Sequence, residues 1–224
     1  MFSKMRLLLL LILTGLCLFG CSLTRRVSFL SDLVCSPPCW FNITPGVTTQ
    51  DEALEILYEL PFIDKDSIST KGFYWNSFDD TIFFRSATQN WDGEAYVIDH
   101  KIVLIGFYGK LNVTFEEAAR VCGDPKFVIN NRGQASFSVS ALDPDKGVAY
   151  TFNTADLPRN KRNELRPDTP IRLIEFFDPM KYDELLEVGM FSMLALNREE
   201  TLKYMRPWTG YGSISQKYPP ARIP

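Results

Sequence analysis

The chain has 224 residues, of which 46% are hydrophobic and 23% are charged, and its formal net charge is −3. This apolar content excludes an intrinsically disordered chain, and the composition also excludes collagen-like and coiled-coil proteins. The charge balance, 24 Lys and Arg against 27 Asp and Glu, argues against a nucleic-acid binder, because phosphate binding needs clustered positive charge.

Residues 1–20 have the pattern of a secretory signal peptide. Lys4 and Arg6 form a short positive region, and an apolar run without a charge extends from Leu7 to Gly20. This run is shorter than the roughly 20 residues that a membrane-spanning helix needs. We therefore expect the segment to be removed from the mature protein.

The end of the apolar run, Leu18-Phe19-Gly20-Cys21, resembles the lipobox of bacterial lipoproteins. The resemblance implies that Cys21 is acylated and becomes the first residue after cleavage, so that membrane lipid holds the protein on the extracytoplasmic side of the cell envelope. Several acyl chains on one residue supply the multiple anchors that stable membrane attachment requires. In the alternative interpretation, the segment is an uncleaved anchor and Cys21 is an ordinary apolar residue. Residues 21–34 are expected to form the lipid-anchored tether.

Three further cysteines, Cys35, Cys39 and Cys122, would lie outside the cytoplasm, where disulfides persist. Cys35 and Cys39 flank a Ser-Pro-Pro turn, which favours a local structural disulfide and leaves Cys122 as the odd thiol. Two alternatives are a longer bridge from either residue to Cys122 and a redox-active pair. Thioredoxin-type chemistry, however, uses a Cys-x-x-Cys spacing at the start of a helix.

Thr49 and Glu52 match a capping box, and they predict a helix that ends before Pro61. Short aromatic or alternating apolar segments after it predict strands over residues 72–75, 81–87, 94–99 and 101–108. Hairpin turns are predicted at Asp92-Gly93 and Asp99-His100.

The same order of signals recurs 65 residues later, where Thr114 and Glu117 form a second capping box before Pro125. Strands are predicted over residues 135–141, 147–152 and 171–177. A third helix is expected to begin at Asp178-Pro179 and to continue to about residue 194, followed by a short helix over 197–205. The Gly-, Pro- and Tyr-rich tail from Pro207 is expected to be irregular.

These signals predict an α+β fold with two tandem units, each a helix followed by an antiparallel meander, and extra C-terminal helices. The predicted boundaries are 35–110 for the first unit, 111–178 for the second, and 179–224 for the C-terminal helices and irregular tail.

The lipobox, the segment Ile43-Thr44-Pro45-Gly46-Val47-Thr48, and a helix that ends in Gly123-Asp124-Pro125 before a meander resemble the small lipoproteins of the outer-membrane barrel-assembly machine. The same pattern resembles the related beta-lactamase-inhibitor-protein-like fold. The lead-in Cys35-x3-Cys39-Trp40 is similar to uncharacterised lipoproteins of the Chloroflexota type. These resemblances imply a fold and an envelope location. They do not imply a catalytic site or a role in barrel assembly.

Known catalytic motifs are absent from the sequence, including Gly-x-Ser-x-Gly, His-Glu-x-x-His and phosphate-binding glycine loops. His100, the single histidine, is expected to be a solvated turn residue rather than a member of a catalytic triad. Asp79-Asp80 could pair for acid–base chemistry, and the Asp-x-Asp segments at 64–66 and 143–145 could bind calcium weakly, but turn roles fit all three better. We predict no catalytic residue, cofactor or metal.

Two features have a structural interpretation, which we expect, and an alternative interpretation as a surface that recognises a partner. Seven aromatic residues lie between Phe73 and Trp91, and they form either a sheet core or an exposed binding face. The charged loop 154–169 is either a solvated excursion or a contact for anionic lipid or a partner, because Arg159, Lys161, Arg162 and Arg166 make it locally basic. We expect a non-enzymatic binding or scaffold module with an unidentified envelope partner. The alternatives are a ligand-binding sensor domain and a thiol-redox protein.

Overall fold

The computed structural model describes residue 30 and residues 35–72, 78–132, 137–188 and 198–220, and every structural statement below concerns these residues. The predicted signal peptide, Cys21 and nearly all of the tether lie outside them. So do Phe73, Tyr74 and Trp75 of the aromatic-rich segment.

Within the described residues, the chain forms short helices and a large sheet. The helices are α1 (Gln50–Glu59), α2 (Phe115–Cys122), α3 (Tyr182–Glu187), α4 (Arg198–Tyr204) and α5 (Ile214–Lys217). The strands are β1 (Ile63–Lys71), β2 (Asp80–Ser86), β3 (Trp91–Ile98), β4 (Lys101–Gly109), β5 (Phe127–Arg132), β6 (Phe137–Asp143), β7 (Val148–Asn153), β8 (Glu164–Leu165), β9 (Leu173–Phe177), β10 (Met205–Pro207) and β11 (Gly212–Ser213). The α+β class is therefore confirmed.

Nine of these strands form one antiparallel sheet in the order β1-β2-β3-β4-β9-β7-β6-β5-β10. The central pair is β4 with β9, and Gly106 lies opposite Glu175 in it. On one side of this pair the strands follow chain order back to β1, and on the other side they lead back to β5 and then to β10. Strands β8 and β11 form a separate two-stranded ribbon.

Both predicted capping boxes form, and they explain where α1 and α2 begin. The Thr49 hydroxyl accepts the Glu52 backbone N–H, while the Glu52 carboxylate accepts the Thr49 N–H. Thr114 and Glu117 make the same reciprocal pair at α2. These contacts satisfy backbone donors that have no partner inside the helix.

Both of these helices pack on one face of the sheet, which we call the helix face. Its core is a cluster of buried apolar residues that includes Trp40, Leu57, Ile82, Phe84, Trp91, Ala95, Phe107, Phe115, Ala118, Val139, Tyr150, Phe152, Ile174 and Phe176. Trp40, which directly follows Cys39, is fully buried, and its ring centroid lies 4.5 Å from that of Phe107 and 6.1 Å from that of Phe84. The Cys-Ser-Pro-Pro-Cys-Trp lead-in thus supplies a central aromatic residue of the core.

The opposite face of the sheet, which we call the pocket face, has its own smaller apolar cluster at one end. There Leu185 and Leu186 of α3 join buried residues of the sheet, namely Val103, Leu104, Ile129, Leu142, Ala149 and Phe177. Further along β3, β4 and β9, the same face carries acidic and tyrosine side chains, which form the site described below.

One predicted hairpin is correct and the other is wrong. Asp99 and His100 form the β3–β4 turn, with φ of 50° and 62°. Asp92 and Gly93, in contrast, lie inside β3. A Cβ at Gly93 would come within 2.3 Å of the Phe84 ring, so glycine is needed there because an aromatic ring covers the backbone, not because the chain turns.

The C-terminal tail differs from the expected irregular segment, because it contains β11 and α5 and contributes to the core. The Trp208 ring stacks on Phe115 of α2 and on Tyr218, with ring centroids 5.3 Å and 5.9 Å apart. The buried Asn130 amide of β5 donates to the Tyr218 carbonyl at 2.5 Å. The tail therefore packs against α2. The Trp40 segment packs on the same face of the sheet, against its first strands.

Candidate functional site: an acidic pocket on the sheet

Cys122 belongs to the helix-face core, and Cys39 directly precedes Trp40 of the same core. The sulfur atoms of Cys35 and Cys39 are 2.03 Å apart, at disulfide distance. Cys122 has no sulfur partner in the described part of the chain and is only 3% exposed. Burial raises the pKa of its thiol to about 12, against a smaller opposing effect of the Lys146 charge. A buried thiol that holds its proton is a poor nucleophile.

The acidic residues that the sequence places at turns have structural hydrogen-bond partners. Asp79 accepts the Asp99 backbone N–H at 2.7 Å, and Asp80 accepts a hydrogen bond from the Gln50 amide at 3.2 Å. Asp143 accepts the Asp145 N–H at 3.2 Å. In the ranges that the structure describes, no group of three or more His, Cys, Asp or Glu side chains is arranged to hold a metal ion.

Two arginines of the basic loop 154–169 contact nearby groups of the protein. Arg166 pairs with Asp168 at 2.9 Å. Arg162 donates to the Leu157 and Ala155 carbonyls at 3.2 Å and 3.3 Å. These contacts favour a structural role for the loop over a contact with anionic lipid.

The aromatic-rich segment divides between the two faces, as strand alternation requires. Ile82 and Phe84 of β2 are buried on the helix face, while Phe83 between them is half-buried on the opposite face. Trp91 is also buried in the helix-face core. Phe78 is buried in the smaller apolar cluster of the pocket face. The described aromatic residues of this segment are therefore mainly core, and Phe83 is the half-buried one on the pocket face.

Sequence reasoning missed Glu175, which lies on β9 at the centre of the pocket face. Its side chain is 5% exposed, and its Oε2 atom is buried without a hydrogen-bond partner. Gly106 lies beside it on the neighbouring strand, where even an added Cβ would lie 3.6 Å from the Glu175 Cγ, an ordinary contact distance. The Glu175 side chain therefore packs over the Gly106 backbone.

Glu94 lies on β3, on the other side of Gly106, and is held by two tyrosines. Its carboxylate accepts hydrogen bonds from the Tyr96 hydroxyl at 2.5 Å and the Tyr108 hydroxyl at 3.0 Å. Burial, and to a smaller extent Glu94, raises the pKa of Tyr96 and of Tyr108, so both phenols keep their protons and act as donors.

These side chains surround a shallow pocket of about 250 Å³, which we call the Glu175 pocket. Its lining residues are Glu94, Tyr96, Leu104, Gly106, Tyr108, Leu173 and Glu175. Burial, and secondarily the charge of Glu94, raises the pKa of Glu175 to about 8. At neutral pH, the pocket therefore combines a protonated acid with a second carboxyl group that accepts hydrogen bonds.

One signal in the sequence could have indicated this site. Glu175 interrupts an apolar run, Leu173-Ile174-Glu175-Phe176-Phe177, and an acidic residue is rarely buried in a strand without a partner. The identity of its neighbours, however, depends on the pairing of β4 with β9, which connects distant parts of the chain.

Comparison of the chain with protein-family models, with curated proteins and with solved structures finds no match. None of the helices in the described ranges combines the length and apolarity needed to cross a membrane. The function is therefore inferred from the residues of the chain and their geometry.

Proposed function

We propose that the protein is a lipid-anchored, extracytoplasmic binding or scaffold module of the cell envelope, without enzymatic activity, and that it binds its partner on the pocket face. The observation that carries this proposal is the buried, unpartnered carboxyl of Glu175 in an accessible pocket. An acid left without a partner costs stability, and such groups concentrate at sites where a ligand supplies the missing interaction.

We further propose that residues 35–110 and 111–178 are tandem units that meet at the β4–β9 pair. Support comes from the equivalent starts of their helices: Thr49 forms an isolated bridge with Lys101, and Thr114 forms one with Pro170. In this arrangement Glu94 belongs to the first unit and Glu175 to the second, so the pocket requires both units.

Ligand sensing is a second candidate, because the pocket lies between the proposed units. Its volume is below the roughly 300–1,000 Å³ of pockets that enclose small molecules, and this favours a contact with part of a larger partner. A thiol-redox function of the Cys35–Cys39 pair is disfavoured by its spacing of four residues, which differs from the Cys-x-x-Cys of thioredoxin-type sites. Burial and a raised pKa disfavour such chemistry at Cys122.

The anchor is tested by the intact mass of full-length protein that has been extracted from membranes. We expect the mass of residues 21–224 plus acyl groups, and we expect Cys21→Ala to accumulate as a precursor that keeps residues 1–20. An unacylated wild-type protein, or a mass that includes residues 1–20, would refute the lipoprotein assignment.

The binding surface is tested by photo-crosslinking in the native membrane. A photoreactive phenylalanine replaces Tyr108, which is 39% exposed on the pocket face, or Tyr58, which is 54% exposed on α1 and serves as the control. We expect one discrete adduct from position 108 and none from position 58. The partner identified from that adduct, once purified, should bind the wild-type protein. Equal adducts at both positions, or none at position 108, would contradict the proposed surface.

A further inference from the structure

The chemistry of the Glu175 pocket restricts what it can bind. Two of its lining residues, Glu94 and Glu175, are carboxylic acids, and none of its lining residues is basic. Arg85 of β2, whose neighbour across the strands is Asp92 of β3, already pairs with that aspartate at 2.7 Å. Glu175 has no hydrogen-bond partner at Oε2 among the described residues, and a cation is the ligand that two neighbouring carboxyl groups favour most.

The pocket also has the shape of a site for one long side chain. The half-buried Leu173 supplies apolar surface, and the Tyr96 and Tyr108 side chains line the pocket beside the acids. An aliphatic stem can pack on such surface while a cationic end reaches the carboxyl groups. The faces of tyrosine rings attract cations as well.

We propose that the Glu175 pocket binds the basic side chain of an arginine or lysine from a protein partner, with the cationic group placed between Glu94 and Glu175. This inference rests on the proposed function, because it names the chemistry by which the pocket face recognises a partner. A guanidinium or ammonium group would donate to the Glu175 carboxyl group where it lines the pocket, and the Glu94 carboxyl group would be its second acceptor.

Binding of this kind is linked to release of a proton. Glu175 holds its proton at neutral pH because burial raises its pKa to about 8, and a neighbouring cation favours the ionised form. The other titratable groups that line the pocket are Glu94 and Tyr96 from β3 and Tyr108 from β4. On the other side of β9, strand β7 places only Ala149 and Thr151 opposite Glu175 and Leu173, and neither of these titrates. Affinity should therefore rise as the pH increases from 6 to 9.

The test uses the full chain, purified from membranes in detergent, and titration calorimetry with N-acetyl-arginine amide. N-acetyl-citrulline amide is the matched probe, because it has nearly the same shape without the charge. We expect the arginine probe to bind at least about tenfold more tightly than the citrulline probe. Measured in two buffers of different ionisation enthalpy near pH 7, its binding should release a proton.

Glu175→Gln should weaken binding of the arginine probe at least about tenfold and abolish proton release. Glu59→Gln, the same chemical change at an exposed position on α1, should change neither quantity. If Glu175→Gln does not fold, as judged by circular dichroism, Glu94→Gln replaces it, with weaker binding expected.

Equal binding of both probes, no binding of the arginine probe, or unchanged binding by the glutamine variants would overturn the inference. Such a result, together with a discrete crosslink from position 108, would leave the pocket face as the binding surface and remove only the cation from its recognition chemistry. Failure of both experiments would remove the proposed function as well.

Discussion

The two faces of the nine-stranded sheet differ in what they bury. The helix face is closed by α1, α2, the Trp40 segment and the C-terminal tail, and its core consists of apolar and aromatic side chains. The pocket face is closed at one end by α3, but it places an unpartnered acid, Glu175, at its centre. The first arrangement follows from burial of apolar surface, whereas the second lowers stability at neutral pH and so calls for a functional reason.

Because neighbouring residues of a strand point to opposite faces, both environments come from the same strands. In β9, Ile174 and Phe176 enter the helix-face core, while Glu175 between them enters the pocket. The stability of the helix face allows the sheet to hold a costly group on its other side.

The largest effect is expected from Trp40→Ala on the helix face. Trp40 is fully buried among aromatic rings, and its truncation should lower the free energy of unfolding by about 3–5 kcal/mol. Denaturant unfolding should show this loss at every pH from 5 to 9, because the lost interaction is apolar. Tyr58→Ala, at an exposed aromatic on α1, is the control and should cost little. A loss similar to that of the control would mean that the Trp40 segment is not part of the core.

On the pocket face, Glu175→Gln should show an effect that depends on pH. The pKa of Glu175 is raised from 4.5 to about 8 in the folded protein, so the folded state holds a proton that the unfolded state has lost between these values. The wild-type protein therefore loses stability as the pH rises from about 4.5 to about 8. Glutamine removes this penalty. The variant should match the wild type at pH 4 and exceed it by several kcal/mol at pH 9, since one pKa unit corresponds to about 1.4 kcal/mol.

Denaturant titrations at pH 4, 7 and 9 measure this difference, and Glu59→Gln provides the matched control. If the wild-type protein and Glu175→Gln keep the same difference in stability at all three pH values, Glu175 is not a buried acid and the two faces do not differ as described.

The sequence predicts a structural element well where residues close together in the chain determine that element. The starts of α1 and α2 were predictable because a capping box involves residues three positions apart. Strand β1 was missed because, as an edge strand, it buries only Ile63 among its nine residues and shows no apolar alternation. Strand β5 was missed because polar Asn130 is buried, and its amide is satisfied by the distant Tyr218 carbonyl.

The candidate site depends on longer-range contacts still. Glu94, Gly106 and Glu175 lie side by side only after β3, β4 and β9 pair, and no short motif encodes that pairing. At Gly93, in contrast, a short motif is misleading. The Asp-Gly pair predicts a turn, but the residue lies inside β3 and is a glycine because the Phe84 ring covers it.

A smaller effect is expected where the helices of the helix face begin. Thr114→Ala removes the hydroxyl that accepts the Glu117 N–H, and it should cost about 1 kcal/mol. Thr49→Ala should cost a similar amount at α1, whereas Thr114→Ser keeps an acceptor and should retain most of the stability. Denaturant unfolding measures all three. A serine variant as unstable as the alanine variant would assign the loss to packing of the threonine methyl group instead of the cap.

The smallest expected signal is the reaction of Cys122 with iodoacetamide in the native protein. The thiol is 3% exposed and burial raises its pKa to about 12, so neither access nor the reactive thiolate is available. Intact mass should show no adduct in the native state, and one after unfolding without reduction. Leu173→Cys places a thiol in the pocket instead, where the same reagent should add once to the native protein. Rapid labelling of Cys122 would contradict a closed helix face, and no labelling at position 173 would contradict an accessible pocket face.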